Sequence, residues 1–170
     1  MLVFIVIADP GRIDRRSARL RVLTILLIAV MTVANSLGAI LLIYDIIAAV
    51  RGITFTNLLG RGALSWLTNV IVFSLWYWEV DRGGPAKRAA RLTIRPSLAF
   101  PEDAFPEMAA EGWEPSYPDY LYFSFTNATA FSPTDTLPLT LWAKALMGLQ
   151  SAVALGVVGL VIARAVNILS

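Results

Sequence analysis

The chain contains no cysteine and no histidine. Without cysteine there is no disulfide and no thiolate nucleophile. Without histidine, the commonest metal ligand and the commonest general base at neutral pH are both missing. These two absences weigh against an enzyme, and no paired catalytic groups stand in their place. Charge is scarce as well. Only 15% of the 170 residues are charged, where a soluble domain carries roughly 25%. The formal net charge of +2 is too small for the basic footprint of a nucleic-acid binder. The chain has no glycine-rich phosphate loop, internal repeat or low-complexity tract, so it implies no cofactor and no metal site.

What the chain does have is apolar length, with 57% of its residues hydrophobic. Its long apolar runs set the class: an all-α, polytopic helical membrane protein forming a single integral membrane domain over residues 1–170. Met1 to Ala8 is apolar but short, and Asp9-Pro10-Gly11 ends it sharply. It lacks the positive start and cleavage site of a signal peptide and reads as the tail of a membrane helix whose beginning is absent. Residues 1–21 are thus a partial helix and a basic loop. In that loop Arg12, Arg15, Arg16, Arg19 and Arg21 stand against one acid, Asp14, a topology signal beside a span.

Three full spans are expected, over residues 22–50, 63–80 and 139–169. The first carries Asn35 and Ser36 near its middle and Asp45 near its far end, an acid read as reaching interfacial water. The loop over 51–62 holds Gly52, Asn57, Gly60 and Gly62. In the second span, Asn69 reads as interhelical glue, and Trp76, Tyr77 and Trp78 as an interfacial aromatic belt at its exit. Residues 81–118 form a polar linker, basic in its first half and acidic in its second, expected to be solvated. In the last span, Gly148, Ala152 and Gly156 recur every fourth residue. Such a stripe lets another helix approach closely.

The stretch over residues 119–138 is different. Asp119 to Phe131 is apolar, aromatic and rich in small hydroxyls, about 20 Å long if helical. A bilayer core is roughly 30 Å thick. A short apolar segment, then Ser132-Pro133-Thr134-Asp135, then a full span reads as a re-entrant helix and turn. Irregular backbone at that depth survives only where protein buries it or a watery cavity solvates it.

Here the chain resembles a degenerate potassium-channel-type pore-loop module. Laid without gaps, Thr129-Ala130-Phe131-Ser132-Pro133-Thr134-Asp135 falls on the Thr-Thr-Val-Gly-Tyr-Gly-Asp run of that family. Pro138, Thr140, Leu141, Trp142 and Lys144 then fall where such channels often have Pro, Thr, Leu, Trp and Arg. The resemblance implies a pore helix, a filter, an inner helix that bends near Gly156, and a homo-oligomer, a tetramer in that family. The chain also looks like a set of uncharacterised bacterial integral membrane proteins. They share its Asp-Pro-Gly-Arg-Ile-Asp, Trp-Tyr-Trp-Glu and Asn-Ala-Thr-Ala-Phe-Ser-Pro-Thr-Asp segments. That likeness implies a multi-pass protein of the cell membrane, with the lipid bilayer as its partner.

The departures from the pore family carry physical meaning. Its filter glycines, which supply backbone angles closed to other residues, are Ser132 and Thr134 here. Pro133 stands at the tyrosine, fixes its own φ and pushes Ser132 toward extended conformations. Four such loops do not make the same carbonyl ladder, so potassium selectivity is not expected. The expected function is a pore for a cation or small solute, with hydroxyls of Thr129, Ser132 and Thr134 and a ring of Asp135 at one mouth. The alternative is a non-conducting membrane scaffold or accessory subunit, in which Asp135 or Thr136 merely caps the next helix.

Orientation divides the sequence arguments. The N-terminal loop and the linker share one side and together hold ten Lys and Arg, which places them in the cytoplasm by the positive-inside rule. The channel resemblance places the linker outside. The residue-by-residue match favours the linker outside, and the two arguments stay in conflict.

Overall fold

The computed structural model describes residues 15–48, 54–90, 92, 94–130 and 135–169. It is mostly helical. Helix α1 is Arg15–Ile47, α2 is Phe55–Val80 and α6 is Leu141–Leu169. Among the described residues these are the three helices long and apolar enough to cross a membrane. Their lengths follow from composition: long runs of Leu, Ile, Val and Ala, with no proline inside any of the three. On α1 the exposed side chains include Leu23, Leu26, Val30, Val33, Leu37 and Ile40. They form the apolar surface a bilayer requires.

Helix α2 begins earlier than glycine content suggests. Gly60 and Gly62 lie inside it, not in a loop. Thr54 caps its start, its hydroxyl accepting from the Asn57 backbone N–H at 3.4 Å. At Gly62 the helix packs tightly against α6. A Cβ built there would sit 2.9 Å from a methyl of Val161. The surrounding core holds Leu58 of α2, Ala39, Leu42 and Ile46 of α1, and Val157 and Val161 of α6.

Only part of the 81–118 linker is solvated: most of 104–112 is exposed, whereas the described residues of 81–103 pack on the bundle. They fold over one end of the bundle through a 3-10 turn at Asp81–Gly83, helix α3 (Pro85–Ala89), strand β1 (Leu98–Ala99) and helix α4 (Pro101–Ala104). The cause is Asp81, which ends α2 with its carboxylate inside. Its Oδ1 accepts from the backbone N–H of Ser97 at 2.7 Å and of Leu98 at 3.2 Å, and its Oδ2 accepts from the Tyr120 hydroxyl at 2.7 Å. Arg82 bridges Asp81 to Asp103 of α4. Arg88 is buried and donates to the carbonyls of Asp81 and Trp78 at 2.7 and 2.8 Å. Its guanidinium lies over the rings of Trp78 and Tyr120. Burial lowers the Arg88 pKa from the usual guanidinium value, and the charges of Asp81 and Glu79 act against that. The basic and acidic halves do meet, through Arg82 and Asp103.

Helix α5 is Tyr117–Ala130, and β2 is Leu137–Pro138. Ser116 opens α5, with its N–H and its hydroxyl both donating to Asp119 at 2.7 and 2.8 Å. This is one half of a Ser-x-x-acid capping box; the Asp119 N–H donates to the Ser116 backbone carbonyl at 3.1 Å and not to its hydroxyl. Strand β2 pairs antiparallel with β1, Leu98 opposite Pro138 and Ala99 opposite Leu137. The Leu139 N–H adds a bond to the Ser97 carbonyl at 2.8 Å. Helix α6 is capped by Thr140, whose hydroxyl accepts from the Ala143 N–H at 3.4 Å. The cap is therefore neither Asp135 nor Thr136.

Candidate functional site

Helix α5 is 14 residues long, about 21 Å, and it packs between α2 and α6. Its contacts run backwards along α2. Tyr120 reaches Asp81, the Tyr117 hydroxyl lies 3.0 Å from Ser74, the Ser124 hydroxyl donates to the Val70 carbonyl at 2.7 Å, and the Trp66 indole donates to the Ala128 carbonyl at 3.4 Å. Trp66 is roughly the midpoint of α2. So α5 starts at the Asp81 end and finishes at mid-length. By Leu137 the chain is back beside β1, at the Asp81 end.

A buried polar hub fixes this helix. Gln150, on α6, is fully buried. Its Oε1 accepts from the Tyr77 hydroxyl and from Asn127 Nδ2, each at 2.8 Å. Its Nε2 donates to the Ser124 carbonyl at 2.9 Å and to the Ser124 hydroxyl at 2.7 Å. Both lone pairs and both protons of the amide are used, which is complete satisfaction for this side chain. Asn127 also donates to the Met147 carbonyl at 3.2 Å, and Ser151 donates to Asn127 Oδ1 at 3.3 Å. The hub thereby joins α2, α5 and α6. Phe73, Tyr77, Tyr120, Phe123, Ala143 and Met147 pack around it. An apolar shell strengthens such bonds by lowering the local dielectric.

The aromatics at the exit of α2 therefore face inward and form no interfacial belt. Tyr77 serves the hub, Trp78 stacks edge-on against Tyr117, and the Trp76 indole donates to the Thr32 hydroxyl at 2.8 Å. The folded linker and α5 cover that end and take the aromatic surface from lipid. Asn69 is buried, yet neither of its polar side-chain atoms has a partner among the described residues. Among the described residues it supplies no hydrogen-bonded glue. Asp45 is not simply an acid in interfacial water. It pairs with Arg61 at 2.9 Å.

Of the pore-loop residues, Thr129 sits at the end of α5 with its side chain exposed. Its hydroxyl donates to the Phe125 carbonyl at 2.7 Å. Phe131, Ser132, Pro133 and Thr134 lie outside the described residues, and Asp135 is exposed. On α6, Gly148 and Ala152 are exposed, while a Cβ at Gly156 would meet Ile43 of α1 at 3.6 Å. The seam that α6 presents to its own bundle runs instead through Ala143, Met147, Gln150, Ala154, Val157 and Val161.

No family model, curated protein or solved structure matches the chain.

Sequence reasoning singled out the loop and passed over the hub. One signal was present. Gln150 is a lone amide in the middle of an apolar span, and polar groups at that depth have a purpose. Asn127, one residue of an otherwise small and aromatic run, was the second. For Asp81 the sequence held no signal, since an acid at a span end reads as a simple boundary.

Proposed function

We propose that this protein is a pore-loop membrane protein of the channel type. In this reading α5 is a re-entrant helix, and copies assemble around an axis, four by resemblance, so that residues 129–135 line a passage. The passage takes a cation or small solute and does not select potassium. The observation that carries the reading is the course of α5. It leaves the Asp81 end, stops beside Trp66 at mid-length, and the chain is back at the Asp81 end by Leu137. A half-span held between two full spans is the arrangement by which membrane proteins bring irregular backbone to mid-depth.

The hub supports the same reading. A loop that coordinates solute has to be held still, and its helix is bonded to the two flanking spans through Gln150. Ser132, Pro133 and Thr134 stand where potassium filters carry Gly, Tyr and Gly. That change removes the carbonyl ladder and leaves hydroxyls. Asp135, exposed at the start of the return, would form a carboxylate ring in an oligomer and attract cations to one mouth.

The test is conduction. Purified protein in planar bilayers under a potassium–sodium gradient should pass cations with a reversal potential well away from the potassium value. Asp135→Asn should lower the cation flux and leave thermal stability nearly unchanged. A protein that stays silent in bilayers, and monomeric in nanodiscs, is instead the non-conducting scaffold.

A further inference from the structure

At the end of the bundle away from the linker, Arg61 of α2 and Asp45 of α1 pair at 2.9 Å. Their side chains remain 47% and 28% exposed, so the ion pair is open on one side. Running from it between α1 and α2 is a groove of about 430 Å³. That is within the range of ligand-sized sites, roughly 300–1,000 Å³. Met31, Ala34, Gly38 and Leu41 form one wall, and Leu64 and Ser65 the other. Ala34 and Gly38 give it width, since a Cβ at Gly38 would meet nothing within 4 Å. The Ser65 hydroxyl is buried and has no partner among the described residues. It lies one helical turn, about 6 Å, deeper than Arg61.

We propose that this groove holds one ethanolamine phospholipid, headgroup at the Arg61–Asp45 pair and one acyl chain between α1 and α2. The charge pattern selects the headgroup. The guanidinium takes the phosphate through its fork of N–H donors. The carboxylate beside it takes the primary ammonium. A glycerol headgroup offers the phosphate but presents no cation to Asp45, and a choline headgroup has a cation without N–H donors. Ester carbonyls hang just below a phospholipid's phosphate, where the unused Ser65 hydroxyl can donate to one. The groove wall beneath is mostly apolar, as an acyl chain needs. The proposal does not rest on the pore-loop reading, because α5 and residues 129–135 take no part in it.

The experiment is native mass spectrometry of the full chain, released from detergent after equilibration with equimolar dioleoyl ethanolamine, choline and glycerol phospholipids. The expected result is one retained lipid, with the ethanolamine form ahead of each of the others by roughly fivefold, the size of effect one partly exposed charge contact gives. Asp45→Asn should reverse the order in favour of the anionic glycerol lipid, because Arg61 is then unopposed. Arg61→Gln should weaken retention of all three lipids, the anionic glycerol form most, because Asp45 is then unopposed. Gly38→Leu, which fills the groove without touching a charge, should remove the adduct altogether. Ser65→Ala should weaken all three lipids and keep their order. Equal retention of the three lipids by the unaltered chain overturns the proposal, as does an order that survives Asp45→Asn. A lipid-free dimer that Gly38→Leu breaks would show a second copy's helix in the groove, and would overturn it too.

Discussion

Tyr77 and Gln150 are 73 positions apart, and the tyrosine hydroxyl donates to the glutamine carbonyl oxygen at 2.8 Å in a fully buried spot. The bond ties α2 to α6. Through the same amide, Ser124 and Asn127 tie α5 to both. In a bilayer the packing of apolar helices is weakly directional, because lipid tails compete on equal terms. A satisfied amide is directional, so it fixes how α5 sits between α2 and α6.

Gln150→Leu should destabilise the fold by about 2 kcal/mol, since it leaves the Tyr77, Asn127 and Ser124 groups without their shared partner. Thermal unfolding in micelles checks this. Adding Asn127→Leu should cost less than its separate effect, because its main partner is already gone. Fully additive losses would mean the two residues do not act as one unit.

Asp81→Ala removes the acceptor for Ser97, Leu98 and Tyr120 together. Expected is a loss of about 3 kcal/mol and faster tryptic cleavage after Arg88, which is buried in the folded cap. Asp81→Asn keeps an oxygen for one backbone N–H and should fall between. An unchanged digestion pattern in the alanine variant would show that the 81–118 cap is held by other contacts.

Two glycines of α2 should respond in opposite directions. Gly60→Ala adds a methyl with nothing within 4 Å and should stabilise by about 0.5–1 kcal/mol through helix propensity. Gly62→Leu drives a side chain into Val161, whose methyl is already 2.9 Å from the position of a Cβ. Overpacking of that kind typically destabilises by about 1–3 kcal/mol. Matched melting curves of the two variants decide it.

Orientation is open to a direct reading, because the chain has no cysteine. Met108 is 83% exposed in the cap, and Asn57 is exposed at the opposite end of α2. A membrane-impermeant maleimide on intact cells should label Met108→Cys and spare Asn57→Cys, if the cap lies outside as the pore-loop reading requires. The reverse pattern makes the cap cytoplasmic and agrees with the count of basic residues.

Some of this was legible in the chain alone. The three spans follow from apolar run length, a one-dimensional property that a bilayer reads directly. Even so, α2 starts at Phe55 because Thr54 caps it and because Gly62 permits contact with Val161. Glycine content by itself suggested a loop there. The short helix of α5 was legible from Asp119 onward, since its apolar run is too short to cross.

What the sequence by itself determined is the membrane class and the positions of the long helices, because each depends only on local composition and length. Only the tertiary structure decided which polar groups share a partner. Asp81 could have faced water, and the cap over 81–118 could have been free chain. Gln150 could have faced lipid or another subunit. Each choice is set by what stands opposite once α2, α5 and α6 are packed. The partners come from positions 16 to 73 residues away. No window along the chain holds both members of such a pair, and a hydrogen bond has no strength until both are in place.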